Sequence, residues 1–419
     1  MKSGSKAREG RKPAPPANPP VQGAPSSRLR ILLVVVVVAL LAAGYTWREP
    51  LTLAWLRRGP VDGLERYAAR NPESTEAAAV LARVYLASGR PEDAVTVLSP
   101  VSDRHPENAS IRVLLARALY ELGKTTAAYA HLQVVVNTLD PDNDEARWWL
   151  GQVQERAGRT DEAYDTYEAL VRRTPKHMLA LIRLGALATV DGRYSVAEEF
   201  YRRAVAAAPG NSEAASRHAE ILFRLGRAEE AAAEARRAVQ LAPDASRGNF
   251  WLGRSLLVLD ARGHGAEAEA ALRKAADRSE KPYEARYFLA KLLRQLGRTE
   301  EAIQELERNT RENPLHQNSF YDLALYTRSL GQTQRAEQAM SRFRTLSSLD
   351  DLGRQLETQV AAAPSDLQAR LRLARFYLKT QRPDLARGQV DQILRQNPDQ
   401  AEARRLAQQI TATPSASSP

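Results

Sequence analysis

The sequence predicts an all-α protein, a solenoid of helix-turn-helix units preceded by one amino-terminal transmembrane helix, and three observations carry the prediction. Near-copies of one segment recur along the chain, among them "AGRTDEAYDTYE" from Ala157, "LGRAEEAAAEAR" from Leu225 and "LGRTEEAIQELE" from Leu296. The composition is rich in Ala, Leu, Arg and Glu and only 6% aromatic, which favours helix over strand. A charge-free apolar run, Ile31–Trp47, stands ahead of every copy. A chain of 419 residues could hold two or three globular domains, but a repeat array can reach this length as one body.

The amino-terminal region reads as an address. Residues 1–30 carry Lys2, Lys6, Arg8, Arg11, Lys12, Arg28 and Arg30 against Glu9, so most of the formal +10 sits there and the remainder of the chain is nearly balanced. That balance argues against nucleic-acid binding by the repeats. The six prolines of "RKPAPPANPPVQGAP" leave little to bury, and a disordered cationic tail is expected. The run Ile31–Trp47 would span about 26 Å as a helix, close to a bilayer core, with Tyr45 and Trp47 suited to the interface. Ala42–Gly44 would suit signal cleavage, but the long basic region and the continuation to Trp47 favour an uncleaved anchor. The charge asymmetry places the tail in the cytoplasm and the repeats across the membrane, which in a bacterium is the periplasm. The absence of cysteine excludes disulfides, thiolate metal sites and a cysteine nucleophile.

The repeat is defined by Gly89, Gly123, Gly158, Gly192, Gly226, Gly263, Gly297 and Gly331, most of them 34 residues apart. Five residues after each stands Ala94, Ala128, Ala163, Ala197, Ala231, Ala268, Ala302 or Ala336. Pro106, Pro175, Pro209, Pro243 and Pro314 close units seventeen residues after the glycine, with Pro141 one place late. Gly tolerates the left-handed conformation that ends a helix, Ala lets two antiparallel helices approach, and Pro stops the second helix. Acidic residues just after the turn, such as Glu229 and Glu300, favour the positive end of the second helix's dipole.

These residues together resemble the tetratricopeptide repeat, over roughly residues 75–400. The resemblance implies a right-handed superhelix of hairpins that binds protein or peptide partners in a concave groove. The expected organisation is a disordered tail (1–30), a transmembrane anchor (31–50), a leading helix or half-repeat (51–74), units one to eight (75–348), an additional helix (349–366), the ninth unit with a capping helix (367–410) and a disordered tail (411–419). The additional helix is expected because the step from Gly331 to the next equivalent position, Gln381, exceeds one unit by about a helix. Extra residues before Gly263 predict a longer loop in the sixth turn.

No catalytic chemistry emerges. "LGKT" at Leu122–Thr125 has Ala118 where a phosphate-binding loop needs Gly, and lies in a helix without a preceding strand. The histidines, His105, His131, His177, His218, His264 and His316, show no ligand-like spacing. No enzyme activity, cofactor or metal is expected. In the family that the repeats resemble, the fifth and ninth positions of a unit tend to face the groove, which nominates Arg83, Arg117, Trp148, Phe250, Arg254, Tyr287, Lys291 and Tyr321. The Lys and Asn set that clamps a terminal carboxylate in some members is not present. The sequence therefore predicts a membrane-anchored scaffold or adaptor, attached through residues 31–47 to the inner membrane, that serves an envelope or secretion complex. Its rivals are a regulatory subunit of a separately encoded enzyme and a cytosol-facing receptor of opposite topology, and self-association stays open.

Overall fold

The computed structural model describes residues 52, 61–279 and 282–412. Among them every regular element is helical. The chain divides into two compact units, 1–158 and 159–419. The first contains α1 (Val61–Arg70), α2 (Thr75–Ala87), α3 (Pro91–Arg104), α4 (Ala109–Glu121), α5 (Thr125–Val134) and α6 (Asp144–Arg156). The second contains α7 (Thr160–Arg173), α8 (Met178–Val190), α9 (Tyr194–Ala207), α10 (Ser212–Arg224), α11 (Ala228–Leu241), α12 (Ser246–Asp260) and α13 (Gly265–Arg278). It continues through α14 (Tyr283–Gln295), α15 (Thr299–Glu312), α16 (Gln317–Ser329), α17 (Thr333–Ala362), α18 (Leu367–Lys379), α19 (Pro383–Gln396) and α20 (Ala401–Ala412).

The repeated residues do the same work in each hairpin. Each of the eight alanines five places past the glycine is completely buried, as is Ala386 in the ninth unit, so a larger side chain finds no room at these positions. Gly89, Gly123, Gly158, Gly192, Gly226, Gly297 and Gly331 all have φ between +68° and +81°. In the fifth unit the amide of Arg227 donates to Leu222 O and that of Gly226 to Phe223 O, so paired backbone bonds close the end of α10. The Arg that often follows the glycine pairs with an acidic residue in the first turn of the second helix: Arg90, Arg227 and Arg298 reach Asp93, Glu230 and Glu301 at 2.6, 2.5 and 2.6 Å. At the other end of the unit, the residue two places after Pro is the N-cap of the next first helix. Asn108, Asn143, His177, Asn211, His316 and Asp366 each accept an amide N–H with the side chain. Two of the six histidines are therefore caps.

Three departures correct the sequence reading. Gly263 is not in the left-handed region: α12 runs to Asp260, and the Asp260 carboxylate accepts the Arg262 amide at 2.9 Å, so an aspartate shapes the sixth turn in place of the glycine. The additional helix expected at 349–366 is not separate. With no Pro after Phe343 to stop it, α17 runs unbroken through the boundary at 348, 30 residues in all. Its last turns act as the second helix of a unit, because Tyr377 donates to Glu357 at 2.8 Å as Tyr85 donates to Glu65 at 2.8 Å, both pairs twenty residues apart. Third, α20 extends to Ala412, two residues into the expected tail. The one-residue lag of Pro141 has a local cause: residues Val135–Leu139 form a π-turn at the end of α5, which absorbs one residue without breaking the hairpin.

Among the described residues no helix is long and apolar enough to cross a membrane. The tail 1–30, the anchor at 31–50 and residues 413–419 lie outside the described residues.

Candidate functional site

The nominated residues are divided between the two units. In residues 1–158, Arg83 is exposed on α2. Arg117 on α4 pairs with Glu121 one turn on at 3.1 Å and lies 5.3 Å from the ring centre of Trp149 on α6. Trp149 also packs on Tyr120 at 5.6 Å, and Arg156 covers the Tyr120 ring at 4.5 Å. The ring that meets Arg117 is thus the neighbour of the nominated Trp148, which is itself half-buried.

In residues 159–419 the row is built on α12, α14 and α16. Phe250 and Arg254 share a face of α12, as i and i+4 must, with the guanidinium 5.5 Å from the Phe250 ring centre. Arg254 is more enclosed than that pair implies. Phe288 lies 4.1 Å away, Phe223 4.6 Å and Trp251 5.0 Å, so four rings from three helices surround one cation. Burial lowers its pKa below the ordinary guanidinium value. Phe250 also contacts Trp251 and Phe288 edge-on at 5.1 and 5.9 Å.

On α14, Lys291 Nζ sits 5.6 Å from the Tyr287 ring centre. Tyr287 packs on Phe288 at 5.2 Å and on His316 at 5.0 Å, and burial, with the charge of Asp322 on α16, raises the pKa of its hydroxyl. Burial raises the Asp322 carboxyl above the usual range, and the Tyr287 hydroxyl opposes the shift. Its Oδ2 is buried without a hydrogen-bond partner. Burial also lowers the pKa of His316, whose Nδ1 lies 2.7 Å from Ser319 Oγ, so the ring favours its neutral form.

Tyr321 departs from the expected strip. It is 43% exposed and packs on Phe343 of α17 at 5.2 Å, on a different neighbour from Tyr287. The structure therefore joins Phe250 with Arg254 and Tyr287 with Lys291, and sets Tyr321 apart. Of the residues missed, Trp251 and Phe288 carried one signal, the aromatic doublets Trp148–Trp149, Phe250–Trp251 and Tyr287–Phe288, whose second members supply ring contacts to cations on the same or an adjoining unit, while Phe223 and Asp322 carried none. Among the described residues no group of three or more His, Cys, Asp or Glu could hold a metal ion.

Helical hairpins stacked through small residues, with cation-bearing aromatic faces, define a repeat-built interaction protein. Two tetratricopeptide-repeat family models match the chain, one at residues 79–144, 132–176 and 150–212 and the other at 190–249, 261–324 and 354–410. The chain belongs to the tetratricopeptide repeat family. It is similar to the cellulose synthase operon protein C of Xanthomonas axonopodis pv. citri, with 31% identity over 59% of this chain and 16% of that protein. It is also similar to the protein of the same name from Pseudomonas fluorescens, with 25% identity over 52% of this chain and 18% of that protein. The chain thus spans less than a fifth of the length of these relatives. Among solved structures, a carboxy-terminal part of a repeat protein from Cytophaga hutchinsonii is similar at 14% identity, covering 69% of this chain and 96% of that one with a TM-score of 0.42.

Proposed function

We propose that this protein is a membrane-anchored scaffold that holds a protein partner on the first-helix face of its repeats, within an envelope or secretion assembly. The observation that carries the reading is the run of cation–ring pairs on α12 and α14, with the exposed Tyr321 at the equivalent position of α16, since aromatic and arginine side chains are the usual anchors of interfaces. The charge-free run 31–47 and the basic tail support the anchor and an orientation with the repeats outside the cytoplasm. The names of the two relatives favour a polysaccharide-producing assembly over the other envelope systems.

The test uses the full-length chain in its native membrane, with photoreactive p-benzoylphenylalanine at Tyr321 and, as control, at Leu385, an exposed residue on the second helix of its unit. Crosslinking to one defined protein from position 321 and not from 385 is expected. Equal or absent labelling at both would overturn the binding face. A reporter active only after export, fused after Pro419, is expected to be active, and activity of a cytoplasm-only reporter there refutes the topology.

A further inference from the structure

Arg254 differs from the arginines around it. Arg224 reaches Glu220 at 2.9 Å, Arg247 reaches the same Glu220 at 3.2 Å, and Arg286 reaches Glu312 at 2.9 Å. Arg254 has no hydrogen bond or ion pair to any described residue, although it is half-buried and enclosed by four rings. A desolvated charge ordinarily requires a partner. Rings compensate part of that need by taking a guanidinium on its faces, but its five N–H donors lie in the plane and stay available. The carboxylates close enough to influence it do not supply the acceptor. Glu220 is held by Arg224 and Arg247, and Glu284 lies exposed at the rim. One helical turn back along α12 a hollow of about 250 Å³ opens, with apolar walls from Phe250, Trp251, Ala275 and Ala285 and with Glu220 and Glu284 on its polar side.

We propose that Arg254 anchors a carboxylate of an extended segment of the partner protein, with an apolar side chain of that segment seated in the adjoining hollow. The proposal rests on the reading of this face as the binding face and names the chemistry it selects. Charge complementarity fixes the occupant: an acceptor-only group satisfies in-plane donors that no described residue meets, and a carboxylate can take two of them at once. The rings pre-order the guanidinium, so less side-chain freedom is lost on binding.

The experiment labels the full chain with 5-fluorotryptophan, which gives a ¹⁹F signal for each of its five tryptophans. The signal of Trp251, whose ring lies beside Arg254, is assigned through Trp251→Phe. The probes are 3-phenylpropionate and its neutral amide, which share the ring and differ in the charge. The Trp251 signal is expected to shift saturably with the carboxylate at least tenfold more tightly than with the amide, and added sodium chloride is expected to weaken only the carboxylate. Arg254→Met, which keeps the apolar stem, is expected to bring the two probes level. Equal affinity of wild type for both probes, or a preference that survives Arg254→Met, overturns the proposal. Where that variant does not fold, the wild-type comparison and its salt dependence decide alone. A partner crosslinked from Tyr321 together with no carboxylate preference would remove Arg254 as anchor and leave the binding face standing. A preference with no crosslinked partner would remove the partner segment and leave a site for free carboxylates.

Discussion

The turn glycines allow one conformational term to be measured in both directions in one molecule. Gly226 has φ +78°, and a methyl group added there would meet nothing within 4 Å, so Gly226→Ala changes backbone preference without a clash. Holding an L-residue in the left-handed region costs about 1–2 kcal/mol. Replacing Gly returns about 0.4–1 kcal/mol by restricting the unfolded chain. The net loss is about 1 kcal/mol, roughly a fivefold change in the opening equilibrium. Gln381 is the mirror case: it occupies the ninth turn at φ 58°, the one positive-φ residue other than Gly among the described residues, and closes it with the same bonds, Arg382 N to Tyr377 O at 2.8 Å and Gln381 N to Leu378 O at 3.1 Å. Gln381→Gly should therefore stabilise its hairpin by about 0.5–1 kcal/mol. Stability in a repeat array is local, so the assay is hydrogen–deuterium exchange read peptide by peptide. Amides of α10 and α11 should exchange about fivefold faster in Gly226→Ala, and those of α18 and α19 two- to fivefold slower in Gln381→Gly, with other units unchanged. Unchanged exchange in the first variant, or faster exchange in the second, would refute the view that conformational preference selects glycine at these turns.

Three further outcomes are expected. Tyr287→Phe keeps the ring contacts and removes the hydroxyl that favours the ionised form of half-buried Asp322, which should cost about 1 kcal/mol around α14 and α16, whereas a partner held by the ring should bind nearly as before; an affinity titration beside an exchange measurement separates the two effects. Gly353→Ala would place its methyl 2.7 Å from the Phe376 ring and should destabilise α17 and α18 by about 1–2 kcal/mol after the helix-propensity gain, while Gly388→Ala, with nothing within 4 Å, should stabilise α19 by about 0.5–1 kcal/mol; local exchange in the two variants tests the contrast. Burial alone would raise the Glu269 carboxyl, but Arg298 and Arg273 hold it below 4.5, so its contribution is present above the unfolded value and is lost as pH falls through the depressed one. Protection of α13 and α15 should therefore decline on acidification below about pH 4.5, and Glu269→Gln should flatten that decline.

The sequence by itself determined the hairpins, because what makes them acts within one 34-residue unit: a glycine that must turn left, an alanine that must be small, a proline that must stop a helix. Each of these is a steric demand of the local backbone, which is why the spacing alone located helices as far apart as α2 and α19. The same logic misled at Gly263, where Asp260 could make the turn with a side-chain acceptor instead, and at residue 348, where nothing in the insertion obliges a helix to end. The candidate site was legible only in part. Spacing of i and i+4 put Arg254 beside Phe250 and Lys291 beside Tyr287, since that relation is internal to one helix. It could not bring Phe223 and Phe288 to Arg254, Asp322 to the Tyr287 hydroxyl, or Phe343 to Tyr321. Those contacts depend on the angle and offset at which neighbouring helices pack. A repeat pattern leaves both to the particular side chains between the helices, and only the tertiary structure decided them.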